Sequence, residues 1–375
     1  MKKKLLIFHP ALAPYRIDQF NSLSKLFELE VVFIFENVVN NKFDQSKLLS
    51  LLEFKYSFLL KGPFYKGRVF RFGIYKKIKN FNPDIIIGYE YSFITQYLIL
   101  LNRIGLIHQK IGSTIDDSLE ICKHIQSKGR YLARKVSVNR LDFLIVMSNE
   151  VSLFYQTTFN INASRIIVSP ILQDPERLRK DKDGLEIIAN QYFKNYDLMG
   201  KKVLLFVGRF IPEKALFQFV NTIQIFLQED HQLIFVLVGN GEERRAIEVL
   251  LKEKLLEKKV IFPGRFEGQN LNAWYLCASG FVLPSTFEPF GAVVNEALIF
   301  GLKVFCSKYA GSSYLVNNGK GILFDPLSEK DTVYKLNLFL REIDVIDNVN
   351  LMKKPSLMSN YKSDFIFEWS KLNTK

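Results

Sequence analysis

Two glutamates, Glu288 and Glu296, stand eight residues apart in "LPSTFEPFGAVVNEALIFG", residues 283–301. After the Pro-Phe-Gly turn almost every position is apolar, so the helix expected from Phe290 onward is a buried one. Buried carboxylates need partners. The backbone N–H groups of Phe290, Gly291 and Ala292 are unspent at such a helix start and form a seat for phosphate. Glu288 falls just outside the turn, and Glu296 about a turn and a half further in by helical spacing. One carboxylate at a mouth and one along a wall can hold hydroxyls of two parts of one ligand. The competing reading makes Glu288 a turn residue and Glu296 a solvent-edge residue beside Asn295.

Two further loops supply the opposite charge. The apolar run "KVLLFV" ends in "GRFIPEK", where Arg209 follows a turn glycine, Gly208, and Pro212 fits a helix start. Lys214 then lies in the first turn, where a cation is unfavourable to the helix dipole; a nearby anion explains it better than solvent does. The next run ends in "VGNGEE", where Gly239 and Gly241 either admit a ligand to the backbone or make a tight turn. With Arg209 and Lys214 on a neighbouring strand end, the ligand reading of the glutamate pair gains weight.

The elements that must carry these loops alternate between short apolar runs and helical patterns, the mark of parallel sheets covered on both faces. Strands are expected at 3–9, 30–36, 84–89, 142–148 and 165–169, and again at 202–207, 233–238, 259–262, 281–283, 303–306 and 321–324. Helices are expected at 213–228 and 242–257. The fold class is α/β, with two doubly wound Rossmann-like domains facing a central cleft. The expected domains are residues 1–172 and 201–350, joined by a polar linker at 173–200, with 351–375 returning to the first domain. Ligands bind at the carboxyl ends of strands in such sheets.

A chain of 375 residues with 48% hydrophobic residues has room for two cores. Three scattered cysteines, Cys122, Cys277 and Cys306, form neither a metal pattern nor a disulfide framework and suit a reducing, cytoplasmic setting. The opening "MKKKLLIFHP" has an apolar run too short for a signal sequence, which needs roughly 7–15 apolar residues. "FITQYLILLNRIGLI" carries Gln96, Asn102 and Arg103 and falls short of the roughly 18 apolar residues of a membrane span.

The series G-R-x-x-x-E-K after a strand, V-G-x-G, F-x-G and S-x-x-E-P-F-G with a second glutamate in E-x7-E resembles the family 4 glycosyltransferases of the GT-B fold. The resemblance runs from about residue 200 to 325 and is vaguer before that. It implies that Arg209, Lys214 and the amides after Glu288 neutralise the diphosphate of a nucleotide-sugar donor. Glu288 would contact the transferred sugar and Glu296 the ribose, while Gly264 and Arg265 lie where the family packs the base. The implied activity is transfer with retention of anomeric configuration and without a metal or cofactor. Many relatives place a cleft histidine where this chain has "GSTIDDS"; Asp116 or Asp117 is the expected substitute. On the acceptor side Glu90 and Arg16 are the candidates, with a capping or surface role the other reading of Glu90. His108 is expected at a strand start, away from this chemistry.

The net charge of +13 lies almost wholly in the first half: residues 1–180 hold 27 basic against 15 acidic residues, a net of +12. Between Glu53 and Asp84 there is no acid, and residues 54–81 interleave eight Lys/Arg with nine Phe/Tyr. Basic and aromatic residues together favour an anionic membrane surface. The expectation is a peripheral enzyme at the inner face of the membrane, acting on a lipid-linked glycan in polysaccharide or lipopolysaccharide synthesis. Nucleic acid is the lesser partner, since no binding motif for it occurs. A nucleotide-sugar epimerase or a phosphorylase of the same fold is the enzymatic alternative.

Overall fold

The computed structural model describes residues 2–38, 42–65, 68–124, 127–349, 354–358 and 361–372. They form two compact units, Met1–Gln173 with Asn360–Lys375, and Asp174–Ser359. The α/β class with two doubly wound parallel sheets stands as expected.

The sheet of the first unit is built from β1 (Lys4–His9), β2 (Glu28–Phe33), β3 (Lys55–Phe58), β6 (Ile85–Tyr89), β7 (Lys110–Ile115), β8 (Phe143–Val146) and β9 (Ile166–Val168). A small hairpin, β4 (Phe64–Tyr65) and β5 (Arg68–Val69), stands apart from it. The strand order is 3-2-1-6-7-8-9 and all pairs are parallel, Leu5 lying between Leu29 and Ile85. The order reverses direction between β1 and β6, the switch point where such sheets open a crevice at their carboxyl edge. Strands of a parallel sheet are covered on both faces, which is why "KLLIFH" and "DIIIGY" read as continuous apolar runs; Leu5, Leu6, Phe8, Ile86 and Ile87 are wholly buried.

The helices of this unit are α1 (Ile17–Leu26), α2 (Gln45–Leu49), α3 (Ile74–Phe81), α4 (Phe93–Arg103), α5 (Leu119–Lys123), α6 (Lys128–Arg140) and α7 (Asn149–Phe159). Ile78 of α3, Leu98 of α4, Val138 of α6 and Val151 of α7 share one apolar cluster with Leu6, Ile86 and Leu144 of the strands.

The second unit repeats the plan with β10 (Lys202–Arg209), β11 (Leu233–Asn240), β12 (Val260–Gly264), β13 (Gly280–Leu283), β14 (Lys303–Ser307) and β15 (Gly321–Phe324), in the order 12-11-10-13-14-15. The switch falls between β10 and β13. Its helices are α8 (Pro175–Leu178), α9 (Lys182–Asn195), α10 (Leu216–Glu229), α11 (Arg244–Glu253), α12 (Gln269–Leu276), α13 (Ala292–Ile299) and α14 (Glu329–Arg341).

The polar stretch 173–200, read as a linker, is mostly part of this unit. Leu185, Ala189 and Phe193 recur along one face of α9 and are buried. Tyr192 stacks on Trp274 with ring centroids 4.5 Å apart. Three apolar residues at helical spacing suffice to dock a helix whose opposite face is largely polar. The last helix, α15 (Tyr361–Ser370), belongs to the first unit. Trp369 is buried there, its Nε1 donating to Ser169 Oγ at 2.8 Å, and Val168 N donates to Glu368 Oε2 at 3.1 Å.

Candidate functional site

In the second unit the carboxyl ends of β10, β11 and β13 carry the three loops singled out above. β10 and β11 run on to Arg209 and Asn240, which face each other in register. Arg209 is exposed and makes no ion pair among the described residues. The expected helix over 213–228 is instead a one-turn 3-10 helix, Pro212–Lys214, then Ala215 in the left-handed region at φ 51°, and only then α10. Lys214 therefore ends a tight turn rather than starting a long helix.

That turn is fastened to the glutamate loop. Thr286 N donates to the carbonyl of Glu213 at 3.0 Å. Lys214 Nζ donates to Glu288 Oε2 in an ion pair, both side chains mostly buried (16% and 11% exposed). So Glu288 is no open turn residue but a buried acid with a cation against it.

Gly291 caps α13 at φ 89°, and a Cβ there would lie 2.9 Å from both Leu283 Cδ2 and Ser312 Oγ. Only glycine fits. The helix starts two residues later than expected, at Ala292, and the N–H groups of Gly291, Ala292 and Val293 find no acceptor among the described residues. Within α13, Asn295 is wholly buried, whereas Glu296 is half-buried and accepts a 2.6 Å hydrogen bond from Tyr275 Oη. Burial and that carboxylate hold the Tyr275 phenol well above its ordinary range. Tyr275 in turn stacks on Phe300 at 5.6 Å, so the acid is aimed by a fixed ring. Sequence reasoning missed Tyr275 because it sits in an apolar run with nothing to mark its hydroxyl.

Gly239 has a reason of its own in the chain: at φ 143° a side chain would run into the carbonyl oxygen of Gly208. Gly264 has φ 100°, and the adjacent Arg265 is exposed and pairs with Glu267 at 2.5 Å. Among the described residues no group of three or more His, Cys, Asp or Glu could hold a metal ion.

The first unit gathers a different set at the ends of β1, β6 and β7. Arg16 is buried, ion-paired through Nη2 with Asp116 and donating from Nη1 to Gln19 Oε1 at 2.5 Å. Asp117 is buried, and Arg130 Nη2 reaches both its oxygens at 2.9 Å. Arg134 Nη2 lies 3.7 Å away on the other side. Burial raises Asp117 above the usual carboxylate range, opposed by Arg130 and Arg134. The Arg134 guanidinium is enclosed by the rings of Tyr91, Phe154 and Tyr155 at 5.5–5.7 Å.

Glu90 holds the left-handed conformation at φ 46°, and among the described residues its carboxylate has one ion-pair contact, with Arg130 Nη2 at 3.5 Å. Burial, then Asp117, pushes its carboxyl up to about 7. Sequence reasoning overlooked His9. It is buried, donates from Nδ1 to the carbonyl of Ala11 at 3.0 Å, and is pushed down to about 3 by burial and by Arg16. His108 lies in the loop before β7, at the opposite end of that strand from Asp116.

Comparison with known proteins places this geometry. Residues 189–350 match the family model of glycosyl transferases group 1. A 2-deoxystreptamine N-acetyl-D-glucosaminyltransferase of Niallia circulans is 28% identical over 169 residues, 44% of this chain and 43% of that protein, so the chain spans less than half of that relative. The solved structure of Anabaena Alr3699/HepE in complex with UDP and glucose superposes over 100% of both chains with a TM-score of 0.72 at 15% identity. WaaG, a glycosyltransferase involved in lipopolysaccharide biosynthesis, covers 99% of this chain and 95% of its own with a TM-score of 0.62 at 14% identity. Most of the second unit thus matches the group 1 glycosyl transferase model, and the chain as a whole has the GT-B fold.

Proposed function

We propose that the chain transfers a sugar from a UDP- or GDP-sugar to a lipid-linked glycan, with retention of anomeric configuration and without a metal, in the synthesis of a surface polysaccharide or lipopolysaccharide. The observation that carries the reading is the Lys214–Glu288 pair set beside the open amides of α13, inside the stretch that matches the family. An incoming diphosphate competes with Glu288 for Lys214 and takes the α13 amides and Arg209 as further donors. Glu288, released from its cation, then has a carboxylate oxygen for hydroxyls of the transferred sugar. Glu296, aimed by Tyr275, suits the ribose, and Gly264 with Arg265 the base. As the anomeric bond breaks, negative charge grows on the leaving nucleoside diphosphate, which Lys214, Arg209 and the helix start would stabilise.

The membrane side of the reading has its own support. α3, α4 and α6 hold no acidic residue and nine basic ones, and they pack in the same apolar cluster of the first unit. Phe93 and Leu100 of α4, Ile104 just after it and Leu132 of α6 are each 45–61% exposed. No helix among the described residues is long and apolar enough to cross a membrane. Part of the 54–81 segment, Lys66 and Gly67, lies outside the described residues. An anionic bilayer at the cytoplasmic face is the partner these helices suit.

The test is a thermal-shift series with UDP, GDP, ADP and CMP on the wild type, Arg209→Ala and Glu296→Ala. A ligand at about 100 times its Kd adds about 2.7 kcal/mol. Stabilisation of the wild type by one nucleotide and of neither variant is the expected result; no response to any nucleotide counts against the donor site.

A further inference from the structure

Helix α13 is closed off on nearly every side. Val294, Asn295, Ala297, Leu298 and Ile299 are buried, and Ala292, Val293 and Glu296 are its half-buried residues. Residues three and four apart share a helix face, so these three make one accessible stripe. At its head lie the N–H groups of Gly291, Ala292 and Val293, without acceptors among the described residues. Glu296 stands about 6 Å further along the axis, four residues at 1.5 Å each. A ligand that fits this stripe carries an anion at one end and hydroxyls about one turn away. A nucleoside diphosphate has that form, its ribose being a few bonds from its phosphates.

The carboxylate of the stripe is held from behind by α12. Tyr275 is wholly buried, its ring stacked on Phe300 with centroids 5.6 Å and planes 3° apart, and tilted against Phe281 at 5.9 Å. Phe300 N donates to the Glu296 carbonyl at 3.1 Å, so Glu296 and Phe300 are one helical turn apart. Tyr275 spans that turn. Its ring is seated on Phe300, and its hydroxyl donates to Glu296 Oε2 at 2.6 Å. A free glutamate side chain must be ordered when a ligand arrives, whereas this one is ordered by the fold. A carboxylate oxygen accepts more than one hydrogen bond, so the tyrosine does not exclude a ligand hydroxyl.

We propose that Tyr275 is a positioning residue for nucleotide choice: by orienting Glu296 it makes the site favour a ribonucleotide, whose 2′-hydroxyl donates to that carboxylate, over the 2′-deoxy counterpart. This rests on the nucleotide-sugar reading above. The plain alternative is a core tyrosine whose hydroxyl has taken the nearest acceptor. That alternative ties Tyr275 to stability and leaves ribose discrimination untouched.

The experiment measures Kd by titration calorimetry for UDP and GDP and for their 2′-deoxy and 2′,3′-dideoxy forms, on the wild type and Tyr275→Phe. Phenylalanine keeps the ring stack, and Tm without nucleotide checks the fold. The wild type should bind one ribonucleotide about 10- to 100-fold more tightly than its 2′-deoxy form, the range of a hydrogen bond to a charged group. Tyr275→Phe should lower that ratio roughly 3- to 10-fold, the effect of leaving one side chain unordered, while dideoxynucleotide binding stays as in the wild type. An unchanged ratio in Tyr275→Phe overturns the proposal, as does an equal loss for all three forms, which marks a structural role. A wild type that binds the nucleotide without preferring ribose removes Glu296 from the ribose, and Tyr275 with it, but leaves the diphosphate seat standing. If the wild type binds neither nucleotide in any form, the donor reading itself falls.

Discussion

The two units share one topology and place charge at the same end of their sheets, yet they use it differently. In the first, Arg16 and Arg134 are 2% exposed and held by Asp116, Asp117, Gln19, the Cys122 carbonyl and aromatic rings. In the second, Arg209 is exposed, Lys214 has one partner, and three amides are open. A buried charge must be answered by the protein itself, or folding costs several kcal/mol. A charge at an open strand end can wait for a ligand. The first cluster therefore maintains the fold, whereas the second leaves Arg209 and a helix start without partners among the described residues.

The contrast predicts opposite mutant behaviour. Arg134→Ala removes a guanidinium from inside an ion-pair and ring cluster and should destabilise the protein by about 3–5 kcal/mol, read from chemical denaturation. Arg209→Ala should stay within about 0.5 kcal/mol of wild type by the same measurement. A large stability loss in Arg209→Ala would erase the distinction. Next in size, Lys214→Ala should cost turnover about 10²–10³-fold, the usual loss of one preorganised donor to developing charge. Its measurement is nucleotide release at saturating donor, and an unchanged rate would remove Lys214 from the chemistry.

The same contrast explains what the sequence could disclose. The apolar runs located five of the seven strands of the first sheet and all six of the second to within a few residues, since a parallel strand covered twice leaves an unbroken hydrophobic signature; β3 and β7, "KYSF" and "KIGSTI", were missed because polar residues interrupt theirs. The second cluster was legible because it demands a glycine at φ 89° before a helix, a cation one strand away and acids at fixed spacing. Those demands are local. The first site was only partly legible, because its pairs join residues as far apart as Arg16 and Asp116. Spacing does not reveal which acid is locked and which is open. Tyr275 and His9 were invisible for a related reason: their roles follow from burial and a partner distant along the chain. The helix expected over 213–228 broke at Ala215 because a 3-10 turn was needed to bring Lys214 onto Glu288.

Glu90 offers a smaller effect that separates the units by pH. Its folded-state value, about 7, lies above the ordinary 4.5, so the fold favours the protonated form. Its contribution is fully present below about 4.5 and is lost as pH rises through about 7. Glu90→Gln should therefore match wild-type stability at low pH and exceed it at pH 8 by on the order of 1–2 kcal/mol, a figure discounted for solvent screening. Glu296→Gln serves as the control from the other unit. A flat difference between Glu90→Gln and wild type across this range would place the carboxyl in open solvent.

The smallest effects belong to the surface of the first unit. Each basic residue near an anionic bilayer contributes about 1 kcal/mol, roughly fivefold in partitioning. Lys128→Gln and Lys135→Gln on α6 should each weaken sedimentation with phosphatidylserine vesicles by about that factor, and Leu132→Ser should act in the same direction through lost apolar contact. Lys252→Gln on α11 of the second unit should change nothing. Equal losses from both units would mean that binding follows net charge alone. Losses confined to α6, abolished on neutral phosphatidylcholine, would tie docking to the face where exposed apolar residues and unopposed positive charge coincide, because screened charge without apolar insertion cannot tell one basic helix from another.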